Sequence, residues 1–289
     1  MAPETAKDQY FLGRDFDASV RLYGQHFLTT KRTKWLLHPK VQRLAERSGV
    51  KIADVATGNG IWASELAEQH PNATIVGLDI SDRQYPPAWT CPENISFDLY
   101  NCLEPPPDKF VGTFDIIHIR FLAGGLRGID NFAKVVQNVG SMLKPGGYLQ
   151  WQDAMAPGWI LVDKSLEIDD SKTELANFAE AFDRASGGLL QGSLNYKLDE
   201  IFETSGLFEK VETVNPDLVP RLLRYETDFA IKVFGEISGQ VRGMLTATGR
   251  MTAEKSQELD ESERLFAEYL ANGGLIVYKT AVVLGRKAE

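Results

Sequence analysis

Asp54, Gly58 and Gly60 lie in one short run, Ile52-Ala53-Asp54-Val55-Ala56-Thr57-Gly58-Asn59-Gly60, and Asp79 follows 19 residues after Gly60. Glycines just beyond an apolar strand let a ligand approach the backbone, because no Cβ stands in the way. The helix that follows opens with unpaired N–H groups and the positive end of its dipole. A carboxylate ending the next strand can accept both hydroxyls of a ribose. These residues are suited to holding a nucleoside-bearing cofactor. The spacing Gly58-x-Gly60-x-x-Ala63 with its downstream acid also fits a dinucleotide fingerprint, so the turn leaves two cofactor classes open. Asp54 weighs against a pyrophosphate, whose charge it would repel, and for a cofactor that carries a cationic amino group.

The elements around this turn alternate. Strands are expected at Val50–Val55, Ala73–Asp79, Ile95–Leu99, Phe114–Ile119 and Tyr148–Gln152, with helices after the first and near 128–143. In the second of these, Ile129, Phe132, Val136, Val139 and Leu143 recur at helical spacing, and Lys144-Pro145-Gly146-Gly147 breaks the pattern. Strand–helix alternation implies right-handed crossovers and a mostly parallel sheet covered on both faces. Ahead of it, residues 15–48 read as helical, with Val20, Tyr23 and Phe27 on one face and a break at His38-Pro39. Beyond it, Lys210–Val214 reads as a sixth strand, about 220–271 as a long helical stretch, and Leu275–Leu284 as the last strand.

The chain has 289 residues, 43% hydrophobic and 25% charged, enough for one large α/β domain. Its net charge of −9 argues against a nucleic-acid partner, which wants a basic surface. Cys91 and Cys102 form no CxxC pair, and no His/Asp/Glu cluster has ligand spacing, so no metal is expected. The N-terminus lacks the apolar core of a signal peptide, and no apolar run reaches membrane-spanning length. A soluble, cytoplasmic protein is expected.

The motifs resemble the class I S-adenosylmethionine-dependent methyltransferases. The resemblance runs through Asp54-x-Ala-x-Gly58-x-Gly60, Gly77-Leu78-Asp79, Phe114-Asp115-Ile-Ile-His118-Ile-Arg120 and Leu143-Lys-Pro-Gly-Gly147. The run Arg21-Leu22-Tyr23-Gly24-Gln25-His26, with Leu36-Leu37-His38-Pro39 after it, resembles the fungal secondary-metabolism branch. It covers roughly residues 15–155 and is weak over 160–270.

It implies a Rossmann-like, seven-stranded, mostly parallel sheet whose last strand is antiparallel, in one domain. Residues 1–49 would be an N-terminal helical arm, 50–155 the cofactor-binding core, 156–274 a helical lid carrying strand six, and 275–286 the last strand. S-adenosylmethionine is the implied cofactor. Asp54, Ala56, Gly58 and Gly60 would cradle its methionine half, Asp79 its ribose, and Ile80, Asn101 and Cys102 its adenine. Asn101 stands where the family usually has an acid, and its side-chain oxygen can still accept the adenine N–H. Ala56 replaces the first glycine of the motif, which requires a negative φ there. Arg120 would hold the cofactor carboxylate or the acceptor, and Gln25 would line the site from the arm.

Methyl transfer from a sulfonium is an in-line displacement, so alignment and exclusion of water matter most. A hydroxyl acceptor adds the need for a base. The candidate bases are His26, Asp153 and His118, with His118 and Arg120 on one face of their strand and Ile119 on the other. Trp151 and Trp159 are candidates for an apolar acceptor wall, and Met244 for the lid. The expected function is methyl transfer to a small natural product, at a hydroxyl oxygen, with a homodimer left open. The alternatives are a regulatory protein of the same fold, a protein that uses the bound cofactor's charge to drive a rearrangement, and a nicotinamide oxidoreductase.

Overall fold

The computed structural model describes residues 13–126, 128–162 and 197–289. Seven strands form one sheet: β1 Lys51–Val55, β2 Thr74–Asp79, β3 Ile95–Leu99, β4 Phe114–Arg120, β5 Leu143–Val162, β6 Phe208–Val214 and β7 Leu275–Lys287. Their order is β3-β2-β1-β4-β5-β7-β6. β1 runs parallel to β2 and β4, β2 to β3, and β4 to β5, whereas β6 and β7 are antiparallel. The expected Rossmann-like sheet is the one found. The strand order reverses at β1, where a parallel sheet opens a crevice beyond its C-terminal ends.

The chain divides into two compact units. The first comprises residues 1–153, 197–217 and 280–289. Its helices are α1 Phe16–Thr33, α2 Pro39–Ala45, α3 Ile61–Gln69, α4 Ile129–Met142 and α5 Leu198–Thr204. One side of the sheet packs Ile52, Ile75 and Ile116 against Trp62 and Leu66 of α3 and Val41 of α2. On α4, Phe132, Val136 and Val139 are buried as their spacing requires, but Ile129, in the first turn, is exposed.

The helical arm keeps its expected apolar residues on one face. Val20, Tyr23 and Phe27 lie on one face, but that face is outward, 45–54% exposed, and Phe16 extends it. The inward residues include Ala18, Arg21, His26, Leu28 and Arg32. Apolar periodicity therefore marks the helix, while polar groups with partners elsewhere in the unit take its inner face.

The second unit comprises residues 154–196 and 218–279. The expected long helical stretch consists of two helices, α6 Leu223–Ala247 and α7 Ala253–Ala271. Gly249, at φ +64°, turns the chain between them, and Thr252 caps α7 by accepting the Lys255 N–H at 3.2 Å. Their shared core is Ala230, Phe234, Val241, Leu245, Leu259 and Phe266. Met244 packs against that core. The sequence expectation for 163–196 lies outside the described residues.

Candidate functional site

The turn after β1 is drawn tight by backbone hydrogen bonds. The Thr57 N–H donates to the Leu78 carbonyl on β2, and the Gly60 N–H donates to the Thr57 carbonyl, each at 3.0 Å. Gly58 and Gly60 take φ values of +58° and +72°. A Cβ on Gly60 would stand 2.6 Å from the Phe97 ring, too close to fit, and one on Gly58 would crowd the Leu22 side chain at 3.0 Å.

Ala56 does not take the negative φ expected of it; it sits at +59°. The partners of the residues on either side, Asp54 and Thr57, fix this stretch and hold Ala56 in the left-handed region, at a cost of about 1–2 kcal/mol. Ala56→Gly relieves that strain, while glycine loses about 0.5–1 kcal/mol of chain entropy on folding. The expected result in urea unfolding is an unchanged or higher midpoint. A midpoint lowered by the full glycine penalty would mean that the turn is unstrained.

Asp79 closes the other side of the crevice. Its Oδ2 accepts the Gly58 N–H at 2.9 Å and its Oδ1 accepts the Ser81 N–H at 3.2 Å. Burial nevertheless pushes this carboxyl above the usual carboxylate range, against the pull of those N–H groups and of Arg14. Half-buried Ile80 follows it. In the loop after β3, Asn101 Oδ1 accepts its own loop's Leu103 N–H at 3.1 Å. The Cys102 thiol beside it is pushed up to about 12, by burial and then by the charge of Asp79.

Beneath the turn is a fully buried pair. His118 on β4 is the register partner of Asp54 on β1, and its Nδ1 meets Asp54 Oδ1 at 2.7 Å. Asp54 Oδ2 accepts the Thr57 hydroxyl at 2.6 Å. The Trp62 ring stacks on the imidazole, 3.7 Å between centroids and 6° from parallel. Burial lowers the His118 pKa, so the ring is neutral, with Nδ1–H donated to Asp54. Asp54 thus supports the turn through Thr57 and His118.

Two residues further along the same face of β4 is Arg120, as the alternation requires. Its Nη2 donates to Nδ1 of His26 on α1 at 3.0 Å. Among the described residues, no carboxylate lies within 4.0 Å of the guanidinium. Burial brings this cation down to about 10. The other nitrogen of His26, Nε2, lies 2.5 Å from Glu65 Oε2 on α3. Burial and the Arg120 charge lower the His26 pKa, so the ring accepts from Arg120 and donates to Glu65. Both nitrogens of His26, a candidate base, are thus engaged. Gln25, half-buried, precedes it on the arm.

Asp153 and Trp151 also move from their expected roles. The Trp151 indole N–H donates to Asp153 Oδ2 at 2.9 Å, and the Ala123 N–H donates to the same oxygen at 3.0 Å. Trp151 is fully buried, 5.9 Å from the Phe132 ring on α4 and 6.4 Å from Phe202. Odd positions of β5 thus face α4 and the core, so Trp151 is no acceptor wall and Asp153 no exposed base. Even positions face the other way: Gln150 holds the Leu36 carbonyl and the His38 N–H, and Gln152 is the register partner of Arg120. Sequence reasoning missed Gln152 and Glu65. The parity that put Arg120 and His118 on one face, carried across to β5, selects Gln152. The Trp159 side chain lies outside the described residues, and Met244 belongs to the core of the second unit.

A methyltransferase-domain family model matches residues 29–185, more than half of the chain. The methyltransferase grgD of Penicillium sp is 35% identical over 170 residues, covering 55% of this chain and 57% of that protein. The N-methyltransferase verN of Clonostachys rogersoniana is 26% identical over 168 residues, covering 55% and 58%. The chain therefore spans somewhat over half the length of these relatives. Among solved structures, a putative sarcosine dimethylglycine methyltransferase from Galdieria sulphuraria is similar at 15% identity with a TM-score of 0.47, covering 97% of this chain and 94% of that one. With its seven-stranded order, its glycine turn and the acid ending β2, the chain belongs to the methyltransferase-domain family.

Proposed function

We propose that the chain is an S-adenosylmethionine-dependent methyltransferase acting on a small natural product. The observation that carries this reading is the joined turn and acid, Gly58 N–H on Asp79 Oδ2 at 2.9 Å. It puts a backbone free of Cβ atoms beside a carboxylate with lone pairs to spare for a ribose diol. The donor set fits the rest of the cofactor too. Asn101 and Cys102 follow β3 on the adenine side, and Arg120 offers a guanidinium without a carboxylate to the methionine end.

When bound, the cofactor supplies an electrophilic methyl on a sulfonium, an excellent leaving group. The residues of this chain have to align and exclude water. Gly58 and Gly60 admit the ligand against the backbone, Asp79 fixes its rotation, and Arg120 fixes its far end. His26, set between Arg120 and Glu65, orients that guanidinium.

All three candidate bases are buried: His26 meets Arg120 and Glu65, Asp153 accepts from Trp151 and Ala123, and the unpartnered Nε2 of His118 lies in a ring only 1% exposed. That favours a nucleophile that arrives with its lone pair available: an ionised oxygen, or an amine nitrogen of the kind the name of verN suggests. We keep oxygen as the first acceptor atom and nitrogen as the second.

Asp79→Ala tests the reading. Calorimetric titration with S-adenosylhomocysteine is expected to be weaker by about 1–3 kcal/mol than in the parent protein. Equal affinity in the two proteins would show that the acid of β2 does not hold the ribose.

A further inference from the structure

Among the described residues of β4 and β5, two buried side-chain nitrogens have no hydrogen-bond partner, His118 Nε2 and Gln152 Nε2, and of the two only Gln152 carries a donor there, since His118 gives its proton to Asp54 from Nδ1. Gln152 is 4% exposed, and its Nε2 has no hydrogen-bond partner. A buried amide nitrogen in that condition destabilises the folded chain, since it has left water for nothing. The neighbouring glutamine on the same face, Gln150, is fully used, donating to the Leu36 carbonyl at 2.9 Å and accepting the His38 N–H at 2.7 Å. The strand can therefore satisfy a glutamine where structure alone is at stake.

The location of the unused donor suggests what it serves. Gln152 pairs in register with Arg120, so the two side chains leave neighbouring parallel strands on one face at the same level. The Gly58 turn follows β1, on the other side of β4. On the cofactor placement proposed above, the ligand extends over β3, β2 and β1. Gln152 lies two strands from β1, about 10 Å away, on the side left for the methyl acceptor.

Resting on that reading, we propose that Gln152 is an acceptor-recognition residue, whose Nε2–H donates to a carbonyl or ionised oxygen of the molecule that is methylated. The acceptor class is thus a carboxylate, enolate, phenolate or carbonyl compound, whichever of its atoms takes the methyl.

The test uses the full chain loaded with S-adenosylhomocysteine, in its parent form and as Gln152→Leu, with benzoate, benzamide and benzylamine as probes in saturation-transfer NMR. Benzoate and benzamide are both expected to bind the parent, and both to weaken at least tenfold in the variant. Benzylamine is expected to bind neither. Urea unfolding supplies the second readout: the variant keeps or raises the midpoint, because leucine replaces a group with no partner. The variant is also expected to bind S-adenosylhomocysteine within twofold of the parent. A lowered midpoint would make Gln152 a structural residue and overturn the proposal. So would equal probe binding in the two proteins, or no oxygen-bearing probe binding to the parent. Failure of the parent to bind S-adenosylhomocysteine at all would instead count against the cofactor reading.

Discussion

His118→Ala is expected to lower unfolding stability by about 3–5 kcal/mol, the largest single-residue loss in the cofactor-binding unit. The substitution leaves the Asp54 carboxylate, 3% exposed, with the Thr57 hydroxyl but without the imidazole N–H that now lies 2.7 Å from it. It also opens a cavity beneath Trp62, whose ring loses its stacked neighbour. The pH dependence carries an independent signature. Burial sets the folded His118 pKa below its ordinary value of 6.5. The neutral ring's contribution is therefore whole above that pH. As pH falls from 6.5 toward the folded pKa, the unfolded chain takes up a proton that the folded one refuses, and stability falls by up to about 1.4 kcal/mol per pH unit. Urea unfolding at pH 7.5 and 5.5 reads both effects. The variant should start lower and lose less on acidification. A variant within 1 kcal/mol of the parent, with the same acid sensitivity, would contradict the pairing described here.

Arg120→Met has the next largest consequence, and it acts on binding while sparing the fold. The guanidinium is held by neutral His26 at 3.0 Å and has no carboxylate within 4.0 Å among the described residues. Replacing an unpaired buried cation by an apolar chain of similar volume is expected to leave unfolding stability unchanged or raised. If the cation holds the methionine carboxylate, affinity for S-adenosylhomocysteine falls by about 1.5–3 kcal/mol, the worth of hydrogen bonds to charged groups. 5′-Methylthioadenosine lacks that carboxylate, so its affinity stays where it was. Calorimetry with both ligands separates the outcomes. A parallel loss of both would mean that Arg120 supports the crevice as a whole and does not read the carboxylate.

These two residues also show where the sequence was legible. His118 and Arg120 were placed on one face of β4 because strand alternation is strict, and the structure keeps them there. The glycine turn and Asp79 were readable for a similar reason: a backbone that a ligand must approach dictates residue type position by position. Legibility failed where facing depended on partners distant in sequence. On α1, apolar spacing put Val20, Tyr23 and Phe27 on one face without saying which way it turns; His26 and Arg21 are buried, and His26 reaches Glu65, 39 positions away. On β5, Asp153 was singled out for its residue type. The parity of the strand gave the useful face to Gln152 and turned Asp153 toward α4, where it ties Trp151 to Ala123. A carboxylate draws attention in a sequence, whereas a glutamine does so only once its burial and missing partner are known.

The Ala56 turn was misread for a related reason. Alanine in place of glycine implied a negative φ, yet the chain holds +59° there. The hydrogen bonds of Asp54 and Thr57 outweigh one residue's preference, and no local reading of the sequence contains those partners.

The measurement closest to the central claim is calorimetric titration of the unaltered chain with S-adenosylmethionine, S-adenosylhomocysteine and, separately, NADH. Micromolar binding of the first two at one site per chain, with no heat from NADH, is the result expected from a crevice with Asp79 on one side and Arg120 on the other. Binding of NADH, with none of either adenosyl compound, would contradict the account and return the glycine turn to its dinucleotide reading.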